Sequence, residues 1–138
     1  AYVAGLYIGL GQRYEKSKLE NQARMAFNKA SELDPNDTGA RAQVALARML
    51  RAKGIFTESN EVIIAKFVNE KGRYFNADGM IVGEAFLLLA ENFISIKNVA
   101  QAKAILQSIL KDSDSEDAKT KAKQLLDGLQ WTKWNLTS

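Results

Sequence analysis

The 138-residue sequence predicts an all-α fold, with antiparallel helix pairs stacked side by side and one last helix closing the array. Three observations predict it. Apolar residues recur at three- and four-residue steps along most of the chain, which places them on one side of a helix. A single proline and nine glycines point to long helices with few turns. A hydrophobic content of 46% is ample for the core of one domain of this length. No run approaches the ~18 consecutive apolar residues that a membrane-crossing helix needs.

The elements follow in order. Residues 1–17 read as a first helix, with Val3, Leu6, Tyr7, Leu10 and Tyr14 along one face. Residues 19–33 read as its antiparallel partner, with Ala23, Ala26, Phe27, Ala30 and Leu33 facing inward. Pro35, within Asp34–Asn36–Asp37, ends that helix, because proline cannot continue it and restricts the residue before it. The run from Leu46 to Leu50, followed by Gly54, marks a third helix and its turn. A fourth helix is expected at about 58–70, carrying Val62, Ile63 and Phe67. Residues 71–79 then break the periodicity and read as an inserted loop. Phe86, Leu89 and Phe93 mark a fifth helix; Ala102, Leu106 and Ile109 mark a sixth. Ser113 and Glu116 have the spacing of a capping box that opens a last helix. Ala118, Ala122, Leu125, Leu126 and Leu129 form its buried stripe, while Lys119, Lys121 and Lys123 stay wet. Such a helix is expected to cover the apolar face of the last pair. Residues 135–138 are expected to fray.

The stretch from Tyr7 to Pro35 carries more than periodicity. Tyr7, Leu10, Gly11, Tyr14, Ala23, Phe27, Ala30 and Pro35 fall at the spacing of the tetratricopeptide-repeat signature, and the chain resembles that family. Aligning Leu10, Leu46 and Leu89 gives steps of 36 and 43 residues, against about 34 for the family. The second unit is worn: Ser59 stands for alanine, Ile63 for the aromatic and Lys66 for the second alanine. Gln22–Ala23 and Gln101–Ala102 share a repeat position. The resemblance implies a right-handed superhelical stack of three units, at about 4–37, 40–78 and 83–114, with a capping helix at about 115–134. It treats the whole chain as one domain. The chain begins at Ala1 without methionine, so a longer parent protein is expected.

By the same resemblance, the first helix of each unit lines a concave groove that holds a partner peptide or helix. The family's groove positions carry over to Ile8 and Gln12, to Arg41, Val44, Arg48 and Arg51, and to Leu87 and Glu91. Arg41, Arg48 and Arg51 share one helical face and could clamp a carboxylate or acidic peptide in bidentate fashion. The alternative is that Arg48 pairs with Glu84 or Glu91 across the groove. Members that grip the carboxylate end of chaperone tails use Lys, Asn and Arg where this chain has Ile8, Gln12, Leu87 and Glu91, so that role is disfavoured. Ile8, Val44 and Leu87 suggest an apolar stripe instead, suited to an amphipathic helix or an apolar peptide. Tyr74 and Phe75 in the inserted loop form a second candidate surface, or else one ring plugs the gap between the second and third units. Trp131 and Trp134 either pack on the sixth helix or dock a further domain.

Composition excludes other classes. With no cysteine and no histidine, there are no disulfides, no thiolate chemistry, no Cys or His metal ligands and no imidazole catalysis. No cofactor is expected. Gly9 and Gly11 lie inside a helical pattern rather than after a strand, so they make no phosphate loop. A net charge of +3 is weak for a nucleic-acid binder, and the groove residues differ from unit to unit. An enzyme is disfavoured because no paired carboxylates sit in a cleft-like context. The expectation is a protein-interaction scaffold, with self-association as the alternative and an RNA-binding helical repeat less favoured. The Asn135–Leu136–Thr137 triplet fits a glycosylation sequon that such chains often carry by chance.

Overall fold

The computed structural model describes the backbone of residues 1–137 and the side chains of residues 1–129. Seven α-helices and no strand are present among the described residues: α1 (Tyr2–Lys16), α2 (Glu20–Leu33), α3 (Asp37–Ala52), α4 (Phe56–Ile63), α5 (Gly79–Ser95), α6 (Val99–Asp112) and α7 (Glu116–Thr137). A π-helical turn, Ile64–Val68, prolongs α4. Each helix packs on the next, and α1 also touches α3, α3 touches α5 and α5 touches α7. The odd-numbered helices therefore form one continuous wall. None of the described helices is long and apolar enough to cross a membrane.

The turns inside the three pairs are copies of one another. Lys18, Gly54 and Lys97 all take positive φ, at 62°, 78° and 68°. The following amide then bonds five residues back: Leu19 N–H to Tyr14 O, Ile55 N–H to Leu50 O, and Asn98 N–H to Phe93 O, each at 2.9 Å. This is the left-handed C-terminal cap that satisfies the last carbonyls of a helix. The three caps sit at the same distance after Leu10, Leu46 and Leu89. The second helices also end alike. Asp34, Asn69 and Ser113 each use a side-chain oxygen to accept the N–H two residues on, at 2.8, 2.9 and 3.1 Å. Short polar side chains favour such turns over helix continuation.

The core is a row of clusters between successive pairs. Ala23 and Phe27 of α2 meet Leu46, Met49 and Leu50 of α3. Ala40, Val44 and Ala47 of α3 meet Ile63, Phe67 and Tyr74, and these meet Ile81, Ala85, Leu88 and Leu89 of α5. Leu87 and Ala90 meet Leu106 and Ile109 of α6 and Ala118, Ala122 and Leu126 of α7. Ser59 is fully buried, and its hydroxyl donates to the Ala47 carbonyl at 2.7 Å, which holds α4 close to α3.

Several expectations are corrected. In α1 the apolar stripe is divided: Val3, Leu6 and Leu10 are exposed, Tyr7 and Tyr14 are half-buried against the core, and Ala4 and Gly11 are the buried residues. The reason is proximity. The Phe27 ring lies so close that a Cβ on Gly11 would stand 2.6 Å from it, so only a small-residue face can meet α2. Leu33 is likewise exposed. The α7 cap is Ser115, whose Oγ accepts the Ala118 N–H at 3.1 Å, and Ser113 serves the preceding turn instead. The fourth helix is regular only to Ile63 and continues as the π-helical turn Ile64–Val68; the loop returns so close beneath it that a Cβ on Gly72 would stand 2.7 Å from the Ala65 and Lys66 carbonyls. The fraying expected at 135–138 is corrected over 135–137, where α7 continues to Thr137, and Ser138 lies outside the described residues; the readings on Trp131, Trp134 and the 135–137 triplet concern side chains outside the described residues.

Candidate partner-binding groove

The wall of odd-numbered helices carries a depression of about 310 Å³. Ile8 and Gln12 of α1, Arg41, Val44 and Arg48 of α3, and Asp78, Met80, Ile81 and Glu84 at the start of α5 line it. Five of the eight sequence-derived groove residues are thus brought together. Val44 contributes only a floor, since it is buried. The other three lie elsewhere. Leu87 is buried against α6 and α7. Arg51 is tied up, donating to Asn92 Oδ1 at 2.9 Å and Ser95 Oγ at 3.0 Å, with Glu91 at 3.9 Å and the Phe56 ring 5.5 Å beneath it. Glu91 therefore faces Arg51 and not the depression.

The three arginines have three different fates. Arg48 pairs with Glu84 at 2.9 Å across α3 and α5, both side chains about half exposed. Such a pair contributes little stability but holds both chains in place along the wall. Arg51 anchors a buried polar network in which Asn92 Nδ2 donates to Ser59 Oγ at 2.8 Å and Asn60 Oδ1 at 2.9 Å. Arg41 is exposed and has no hydrogen bond or ion pair among the described residues. Its guanidinium, with five donors in a planar fork, is the one arginine of the stripe still available to a carboxylate.

The apolar element of the depression is half-buried Ile8 on one side and exposed Met80 on the other. Met80 was not singled out from the sequence. Its signal was available: Asp78 is the N-cap of α5, accepting the Met80 N–H at 3.0 Å, and this fixes a first-turn residue at the mouth of the wall. A flexible thioether beside a branched aliphatic suits a shallow, adaptable apolar contact. Among the described residues, no group of three or more carboxylates, histidines or cysteines could hold a metal ion.

The inserted loop resolves into one buried and one exposed ring. Tyr74 is buried between α3 and α5, 5.8 Å from the Phe67 ring. Its hydroxyl donates toward the carbonyls of Asp34 at 2.9 Å and Ser31 at 3.1 Å, beside Ser31 Oγ at 2.7 Å. It is thus a plug, and it ties the first pair to the loop as well. Phe75 stays exposed and lines a second depression of about 330 Å³ with Val82, Phe86 and Ile109, edged by Asp112 and Asp114. A scan against protein-family models finds no match to this chain, and a search of curated proteins finds none either.

Proposed function

We propose that this chain is a tetratricopeptide-like array, three helix pairs in a right-handed superhelix under a capping helix, and that it serves as a non-enzymatic protein-interaction scaffold. The reading is supported by the eight signature residues from Tyr7 to Pro35 and by the three matching left-handed caps after Leu10, Leu46 and Leu89. The partner segment lies along the odd-numbered helices. It sets an apolar side chain between Ile8 and Met80 and a carboxylate on Arg41.

One observation carries the binding role: Arg41 stands unengaged in a depression whose other arginine already has its acid. A lone guanidinium beside accessible apolar surface is a frequent interface anchor. Affinity capture with the wild type and with Arg41→Glu tests it. The variant is expected to lose the retained proteins while its melting temperature stays within about 2 °C, since an exposed side chain without partners contributes little to folding. Identical capture by the two proteins would overturn the assignment.

A further inference from the structure

We infer that the region between α2, the π-helical turn and the inserted loop carries a second binding site, which takes a small hydroxylated phosphate monoester of the sugar-phosphate class. A depression of about 450 Å³ opens there, within the ~300–1,000 Å³ of small-ligand clefts, and shares no lining residue with the Arg41 depression. Every side chain that lines it is polar: Asn28, Ser31 and Glu32 of α2, Gln43 of α3, Lys66 of the π-helical turn and Arg73 of the loop. Such a lining offers nothing to an apolar group and suits a ligand that is polar throughout.

Three observations select the ligand. First, two cations stand there without an acid. Half-buried Lys66 makes no side-chain hydrogen bond or ion pair among the described residues. Arg73 is held by uncharged partners: its Nε donates to the Tyr74 hydroxyl at 3.2 Å and its Nη2 to the Glu32 carbonyl at 3.4 Å, and the guanidinium lies 5.8 Å from the Tyr74 ring centroid. Most of its N–H donors stay free. The Tyr74 N–H donates to the Lys66 carbonyl at 2.8 Å, which fixes the loop against the turn that carries Lys66. The one acid of the rim, Glu32, has a largely exposed carboxylate 3.7 Å from Lys29. Second, Gln43 and Ser31 are 2% and 5% exposed, so the depression has a polar floor. Gln43 Nε2 donates to Asn28 Oδ1 at 3.1 Å, but its carbonyl oxygen accepts nothing among the described residues. A buried acceptor without a partner calls for a donor, and a hydroxyl of the ligand supplies it. Third, the free cations come from separate elements. One guanidinium fork saturates the two oxygens of a carboxylate, whereas the three terminal oxygens of a phosphate can take both Arg73 and Lys66. The lysine also sits on a π-helical turn, a feature that recurs at functional sites.

Titration of the isotope-labelled chain with ribose phosphorylated on its primary hydroxyl, followed by amide NMR at constant ionic strength, tests this. Saturable shifts are expected around Gln43, Lys66 and Arg73, with a Kd of about 1 mM or below. Ribose alone and inorganic phosphate are each expected to bind at least about tenfold more weakly, because each makes only part of the contacts. Lys66→Gln is expected to weaken the ester at least about tenfold, while Lys53→Gln, at an exposed lysine elsewhere, leaves the affinity unchanged. Glu32→Gln, which removes the acid of the rim, is expected to tighten binding at least about twofold. Absence of a saturable shift with the ester overturns the inference, as does undiminished binding by Lys66→Gln or equal binding of inorganic phosphate. A phosphoserine peptide that binds more tightly than the ester also overturns it, and assigns the site to a protein partner.

Discussion

Tyr74 shows how one side chain can hold an inserted segment in place. Its ring fills space between α3 and α5, and its hydroxyl reaches the last turn of α2. The fit depends on Gly39: a Cβ there would stand 2.0 Å from the Asp34 carbonyl oxygen and 2.3 Å from the Tyr74 hydroxyl. Tyr74→Phe keeps the ring and deletes the hydroxyl. It leaves the Asp34 carbonyl and Ser31 hydroxyl without that partner, at a cost of about 1–3 kcal/mol. Tyr74→Ala also opens a cavity and should cost about 3–5 kcal/mol. Urea denaturation of the two variants would measure both steps. A Tyr74→Ala midpoint equal to wild type would mean that the loop contributes nothing to the core.

The helices and their turns were legible to different degrees, and the reasons are physical. The left-handed position was visible only as Gly54, because glycine reaches positive φ without a steric penalty; Lys18 and Lys97 adopt the same conformation with no sequence flag. The structure therefore predicts that Lys18→Gly or Lys97→Gly stabilises the chain by about 0.5–1 kcal/mol, read as a higher urea midpoint. An unchanged or lower midpoint would show that the lysine stems make compensating contacts. The face of α1 was legible only in part, because periodicity reports where apolar residues cluster, not which part of a wide apolar arc meets the partner helix. Ala4 and Gly11 met it, Tyr7 and Tyr14 packed at its edge, and Val3, Leu6 and Leu10 were left open. The π-helical turn at Ile64–Val68 was hidden because no local pattern marks it. Between α2 and α4, Arg24 is forked by hydrogen bonds to Glu58 and Glu20, which raise its pKa above the ordinary arginine range. A folded value raised above the unfolded one adds stability at lower pH that fades only as pH climbs through the folded value. This cation therefore adds no pH dependence near neutrality.

For the molecule as a whole, the groove was legible in its composition but not in its pairing. Ile8, Gln12, Arg41, Val44 and Arg48 converge because odd-numbered helices abut. The occupation of Arg48 by Glu84 and of Arg51 by Asn92 depends on helix offsets that no single stretch encodes. Leu87 was lost to the groove because α5 is apolar nearly all round, so its exposed-looking positions are claimed by α7. That dependence makes the last helix the strongest determinant of the array's integrity. Ending the chain after Ser113 would uncover Leu87, Leu106 and Ile109, each nearly fully buried against α7. A buried aliphatic side chain contributes about 1.5–3 kcal/mol. Losing cover on three of them removes several kcal/mol from a domain expected to have about 5–15 kcal/mol in total. The shortened chain should lose cooperative unfolding in urea and expose apolar surface to a fluorescent dye. Because the clusters form a row, the damage should start at α5 and α6 and leave amide protection in α2 and α3 higher. Hydrogen exchange would read that gradient directly. A truncated chain with uniform loss of protection along its length would show instead that the stack folds as one indivisible unit.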